Sequence, residues 1–236
     1  MKSLVQIALF IPVMLAGCSS NCVEDSGKNI TIGTVVKPFD KIKVEGAFKL
    51  VLTQDSSYQI RIQADSAIMK HVRADVSGGE LKVQLGDKKY CGTDSIIVYA
   101  GIGVLKELDT EGAVKVAGEG RIYADDLKFE FSGTSNVSLD LSVRKLETKI
   151  DGVAELKLIG QAGTHDLDSK GTVKINAFDF VAGIYDIDMD GTAKANVNVL
   201  NELKVKTSGA TEIYYKGNPK KVDEKKSGAA KLEKVN

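Results

Sequence analysis

This sequence has little of what most often carries chemistry. Tryptophan is absent and aromatics make up 6% of the 236 residues, which leaves little for sugar-stacking platforms or interfaces built on large anchors. His71 and His165 are the only histidines, and neither stands in a frame with a serine or cysteine nucleophile. No Gly-x-Ser-x-Gly occurs, so nucleophilic catalysis lacks its parts. The three cysteines contain no Cys-x-x-Cys and accompany no histidine pair, which argues against a zinc site. Net charge is missing too: Lys plus Arg and Asp plus Glu are both 32, so no overall field favours nucleic acid. Gly101-Ile-Gly103 and Gly118-Glu-Gly120 lack the third glycine and following helix of a nucleotide loop and read as turns.

What the chain has is a repeat. From Leu108 onward a glycine recurs at Gly112, Gly133, Gly152, Gly171, Gly191, Gly209 and Gly228, in steps of 21, 19, 19, 20, 18 and 19 residues. Self-similarity at this period predicts a solenoid, in which each unit buries its apolar face against its neighbours. Four residues before each glycine stand Leu108, Phe129, Thr148, Leu167, Ile187, Val205 and Glu224; four after stand Val116, Val137, Leu156, Ile175, Ala195, Ile213 and Leu232. Three before, every residue is charged, from Asp109, Glu130 and Lys149 to Lys225; three after, every one is polar. This is period-2 alternation carried through the glycine, so each unit reads strand, bend, strand, with even offsets inward. On this reading the glycine also faces inward, where a bending strand leaves no room for a side chain. The outward columns become charged ladders about 4.8 Å apart, a solvated face rather than a binding strip.

The ends read differently. Residues 1–17 carry Lys2, an apolar run from Leu4 to Leu15, and then Leu15-Ala16-Gly17-Cys18-Ser19, the pattern of a lipoprotein signal peptide whose Cys18 takes the lipid. That predicts a mature chain anchored to an envelope membrane, with Ser19 favouring the outer one. Residues 18–34 read as a tether and 35–236 as one domain, irregular over 35–105 and regular over 106–236. Cys22 and Cys91 form the candidate disulfide, two free thiols being the alternative. Gly46 sits in the same frame as the later glycines, but the next one, expected near residue 66, is missing. In its place come a strand at Tyr58–Ile62, a helical turn within 66–72, a hairpin across Gly78-Gly79, a polar loop over 86–95 and a buried strand at Ile96–Ala100. Tyr214 to Pro219 breaks the pattern, and the last repeat is polar, as a terminal cap needs to be.

Phe39-x-x-Ile42-x-Val44-x-Gly46, Leu81-x-Val83, Ile96-x-Val98, the repeated acidic-or-Ser-Gly-(Ala/Thr) frames, and Ile213-x-Tyr215-x-Gly217-x-Pro219 followed by Ser227-Gly228-Ala229 resemble the head GIN domain family of auto-transporter adhesins. The resemblance covers about residues 36–234. It implies an all-β, right-handed parallel β-helix of about 20 residues per coil, similar to pectin lyases without their catalytic residues, on envelope lipoproteins. It implies no cofactor and no established functional residues. Thr134 and Val153 follow Gly133 and Gly152 where the family favours Ala or Ser, which bears on coil tightness.

Two constellations remain. Asp186-Ile-Asp188-Met-Asp190-Gly191 matches the first half of a calcium loop, but the twelfth position, where a bidentate Glu is needed, is Val197. The alternation makes this an ordinary repeat strand with aspartates facing water. Asp166 and Asp168 lie one repeat earlier, so Asp166, Asp168, Asp186, Asp188 and Asp190 make an acidic face on which a glycan-binding or glycan-cleaving reading rests. His165 falls at an inward offset and reads as a structural histidine. The expectation is a non-catalytic adhesion or interaction module, held to the membrane by its lipid and meeting an unidentified protein or glycan.

Overall fold

The computed structural model describes residues 22–236; the leader and Cys18 lie outside the described residues. The chain is all-β with one helical turn: β1 (Cys22–Val23), β2 (Asn29–Val35), β3 (Lys41–Gln54), β4 (Gln59–Asp65), α1 (Ser66–Met69), β5 (Val72–Ser77), β6 (Glu80–Leu85), β7 (Lys89–Tyr90), β8 (Ile97–Ile102), β9 (Glu107–Lys216) and β10 (Lys221–Lys234). The main sheet runs β10-β9-β3-β8-β4-β2, with β6 and then β5 branching from β3, and it is open at both ends.

β9 holds 110 residues in strand conformation. Straight, it would reach about 360 Å at roughly 3.3 Å per residue. It folds back on itself instead, and the glycines mark how. A Cβ on Gly112 would lie 2.6 Å from the Gly46 carbonyl oxygen, and one on Gly133 would lie 2.6 Å from that of Gly112; the same contact links Gly152, Gly171, Gly191, Gly209 and Gly228 in turn. Parallel pairing brackets the run at both ends, with Gly46 opposite Gly112 in β3 and β9, and Gly209 opposite Gly228 in β9 and β10.

The even offsets are buried as the pattern demands: Leu108, Phe129, Thr148, Leu167, Ile187 and Val205 on one side of the glycine, and Val116, Val137, Leu156, Ile175, Ala195 and Ile213 on the other. Asp109, Asp168 and Lys206 face solvent. The glycines depart from expectation. Gly112, Gly133 and Gly171 are exposed, so crowding by the core is not what selects them. The selection comes from a φ of +86° to +129° in this column, which side chains rarely adopt, and from the carbonyl of the preceding glycine in the space a Cβ would fill.

The N-terminal section explains the missing glycine near residue 66. In space, the strand after β3 is the first repeat of β9, more than fifty residues further along the chain; the other edge of β3 is filled by β6 along Lys41–Glu45 and by β8 along Lys49–Gln54, both parallel. The intervening residues therefore build the end of the stack. β5 and β6 form the hairpin, with Gly78 and Gly79 at φ +59° and +81° in its turn. β4 lies antiparallel on β8, and β2 antiparallel on β4. Residues 29–34 are thus strand where a tether was expected, because Ile30 reaches the core while pairing fixes the rest. At the far end β10 is exposed along nearly its whole length, with Glu224 and Lys226 in positions that earlier repeats give to buried groups.

Candidate functional site

Two surfaces of the repeats, a carboxylate cluster around the buried Asp65 and a buried histidine hold the candidate groups. Just after the glycine column an open groove of about 820 Å³ crosses the repeats. Its floor is the buried column two positions past each glycine, Ser135, Ala154, Val173, Ala193 and Thr211, beside the exposed column of small residues one position past: Thr134, Val153, Thr172, Thr192, Ala210 and Ala229. One rim is the polar column three positions past each glycine, where Lys174 pairs with Glu155 at 2.8 Å and Lys194 with Glu212 at 3.4 Å. Small side chains on neighbouring repeats leave a straight, mostly apolar channel. It holds no nucleophile with a base beside it, and its geometry suits binding.

The acidic candidates lie on the other side of the glycine column. Lys145 bridges to Asp166 at 2.8 Å, Lys204 to Asp186 at 3.9 Å and Lys206 to Asp188 at 2.6 Å. Asp168 and Asp190 are exposed. Asp166 thus pairs with a lysine of the preceding repeat and Asp186 and Asp188 with lysines of the following one, and among the described residues Asp186, Asp188 and Asp190 do not converge as calcium ligands must. The side-chain hydrogen bond from Lys206 to Asp188 holds the lysine above its usual pKa, the signature of a ladder of pairs.

Among the described residues, the one group of three ligand-type side chains with donor atoms within 4.8 Å is Asp25, Asp65 and Asp94. Sequence reasoning missed it because its members are far apart in the chain. The local signal was Asp65-Ser66 before a helical turn, an N-cap pattern. Asp65 is fully buried and accepts from Ala67 N at 2.7 Å, Ser26 N at 2.9 Å and Lys28 N at 3.1 Å. Burial pushes its pKa up, and these donors outweigh burial and bring it below the usual carboxylate value. Asp25 accepts from the Tyr90 hydroxyl and from Thr93 N, which lower its pKa. Asn29 donates to Asp94 at 2.9 Å. Beside this cluster Cys22 and Cys91 are joined by a disulfide with Cα atoms 5.8 Å apart. The carboxylates thus knot the first described residues to the body of the protein.

His165 is wholly buried, with Nε2 3.0 Å from the Thr148 hydroxyl and Nδ1 2.7 Å from the Tyr185 hydroxyl. Burial pushes its pKa down to about 3, so the ring is neutral at ordinary pH. With both nitrogens engaged and no path to solvent, it is a structural group. His71 is half-buried at the end of the α1 turn.

Comparison with known proteins agrees with this architecture. The sequence model described as "Putative auto-transporter adhesin, head GIN domain" matches residues 38–219. Among solved structures, a "putative adhesin" from Bacteroides fragilis NCTC 9343 is 24% identical with a TM-score of 0.85, over 90% of this chain and 100% of that one. A "putative adhesin" from Parabacteroides merdae ATCC 43184 is 24% identical with a TM-score of 0.65, over 92% and 100%. A "putative lipid binding protein" from Parabacteroides distasonis ATCC 8503 is 17% identical with a TM-score of 0.70, over 91% and 100%. Among curated proteins no relative matches. With its model matched across most of the chain, this protein belongs to the head GIN domain family, the one described as "Putative auto-transporter adhesin".

Proposed function

We propose that this protein is a lipid-anchored envelope lipoprotein, attached through Cys18 to the outer membrane, whose domain from residue 35 to 236 is a right-handed parallel β-helix acting in adhesion without catalysis. The glycine column and the parallel register at both ends of β9 support the helix, and the general preference of parallel crossovers supports its hand. Family membership supports adhesion. The observation that carries the binding role is the groove past the glycine column, a channel across six repeats with small side chains along its floor. Such a channel presents one continuous surface to an extended partner, while the flanking ladders of ion pairs keep the rest of the stack soluble.

Intact cells supply the test. Metabolic labelling with a fatty-acid analogue should mark the wild type and fail on Cys18→Ala. Protease applied outside the cell should release the domain. Thr172→Arg with Thr192→Arg, which fills the groove, should reduce cell adherence as far as deletion of the protein while leaving its thermal melt in place. Complete protection from external protease would sink the adhesion reading.

A further inference from the structure

The two ends of the sheet are finished differently. At one end β10 carries Lys221, Lys225, Lys226, Lys231 and Lys234 among its fourteen residues, a charged edge that resists pairing. At the other end the β6–β5 branch closes with Arg73 and Asp75 in β5, but β2 stands one strand further out, beyond β8 and β4. It reads Asn-Ile-Thr-Ile-Gly-Thr-Val, without a charge or a proline, and Ile32 is 53% and Val35 70% exposed. One of its edges pairs with β4; none of the other described strands pairs with the second edge.

The backbone fixes what that edge can accept. Val36 N donates to Tyr58 O at 2.9 Å, and Ser66 N donates to Lys28 O at 2.8 Å, in the register that sets Ile32 opposite Ile62. Even-numbered residues therefore direct their amides and carbonyls to β4, and Asn29, Thr31, Gly33 and Val35 direct theirs outward. We propose that this edge pairs antiparallel with β2 of a second copy, about a two-fold axis at Ile32. In that register all seven residues find partners. Asn29 meets Val35 and Thr31 meets Gly33, each pair exchanging two hydrogen bonds, and every one of these residues belongs to the outward set. Ile32 meets its own mate in a close, non-hydrogen-bonded pair. Ile30 and Ile62 pack on the core, so Ile32 stands on the core side of the sheet, and its mate covers the flank that solvent now sees. No like charges meet, whereas β10 paired with itself would oppose lysines.

The result is an end-to-end pair with both β10 ends outward. A second copy fits better than a foreign strand because of where the chain before Cys22 leads. Cys18 lies four residues before the Cys22–Cys91 disulfide, and Ser26 and Asn29 are tied to Asp65 and Asp94 at this same end. Lipid-anchored copies therefore bring this end together at one membrane surface; that step rests on the anchor reading, while the pairing does not.

The test uses the full chain purified in detergent. Ile32→Cys should close a disulfide-linked dimer under mild oxidation, since directly opposed residues stand about 4.5–5.5 Å apart. Val35→Cys, more exposed but opposite Asn29, should stay monomeric. Ile32→Lys should convert the wild-type dimer to monomer in sedimentation. A monomeric wild type, equal cross-linking at positions 32 and 35, or capture of a different protein by Ile32→Cys in cells would each overturn self-pairing. Cys18→Ala separates the two readings: in detergent it should dimerise as the wild type does, and in cells it should lose the cross-link if the anchor concentrates this end. Loss of lipid label with the detergent dimer intact would confirm the pairing alone, and lack of any label on the wild type would remove the anchor without touching it.

Discussion

The regular repeats and the N-terminal section solve the same problem, closing a β-stack, by unlike means. Within β9 each unit takes its shape from the unit before it. Glycine rests on glycine, inward side chains fill one continuous core, and few interactions reach beyond the neighbouring repeat. In residues 22–106 the contacts are long in sequence and singular: a disulfide spanning 69 residues, a buried aspartate collecting three backbone amides, and two antiparallel strands laid over a parallel stack. The first region should lose stability in small, local increments, and the second should fail as a unit.

Breaking the disulfide tests that contrast most strongly. Reduction, or Cys22→Ser with Cys91→Ser, removes a cross-link over a long loop and should cost about 4 kcal/mol. Hydrogen exchange should show the loss in β1, β2 and β4 while β9 amides stay protected. Next in size is the glycine column. Gly171→Ala places a methyl group against the Gly152 carbonyl at φ +116° and should cost about 3 kcal/mol in a chemical melt, whereas Gly78→Ala, at φ +59° with open space around it, should cost about 1 kcal/mol. Equal effects would show that the column is held by backbone strain alone.

Acid sharpens the contrast further. His165 binds a proton in the unfolded chain near pH 6.5 but, folded, only near 3. The unfolded state takes up the proton first, so stability falls as pH drops below about 6.5, by about 1.4 kcal/mol per unit, or about 3 kcal/mol by pH 4.5. His165→Gln should start less stable and flatten that slope in melts across this range. Asp25 and Asp65, both lowered, keep their contribution above the usual carboxylate range and lose it only at lower pH, so the stack should soften before the N-terminal knot does. The smallest effect belongs to the ladders. Exchanging Asp188 and Lys206 should leave the melt within its error, because the pair is exposed to solvent.

The all-β class and the alternating burial of β9 were legible because their determinant is local and periodic. Leu108, Phe129 and Leu167 on one column and Asp109, Glu130 and Asp168 on the next are enough to orient every strand. The role of the glycines was misread, since period alone makes offset zero an inward position; only the stacked carbonyls reveal a column on the outside of the bend. Asp65 and β2 stayed hidden for a different reason. Their partners, Ser26 and Lys28 for the first and Gln59 to Asp65 for the second, are set by a topology in which chain order and spatial order diverge. The groove was invisible as well, although its lining could be read as the two positions after each glycine, because small side chains there look like turn residues until the units lie one on another.

The contact of each glycine with the last makes the repeat a ruler. Removing the whole interval from Gly152 to Gly171 would leave two faces that still match, and duplicating it would do the same, so the length of the stack can change in whole steps without redesign of either end. Half a step would set a side chain against a carbonyl at the altered junction. Evolution of this chain by gain and loss of single repeats is thus mechanically easy, and the reach of the groove would grow or shrink with it.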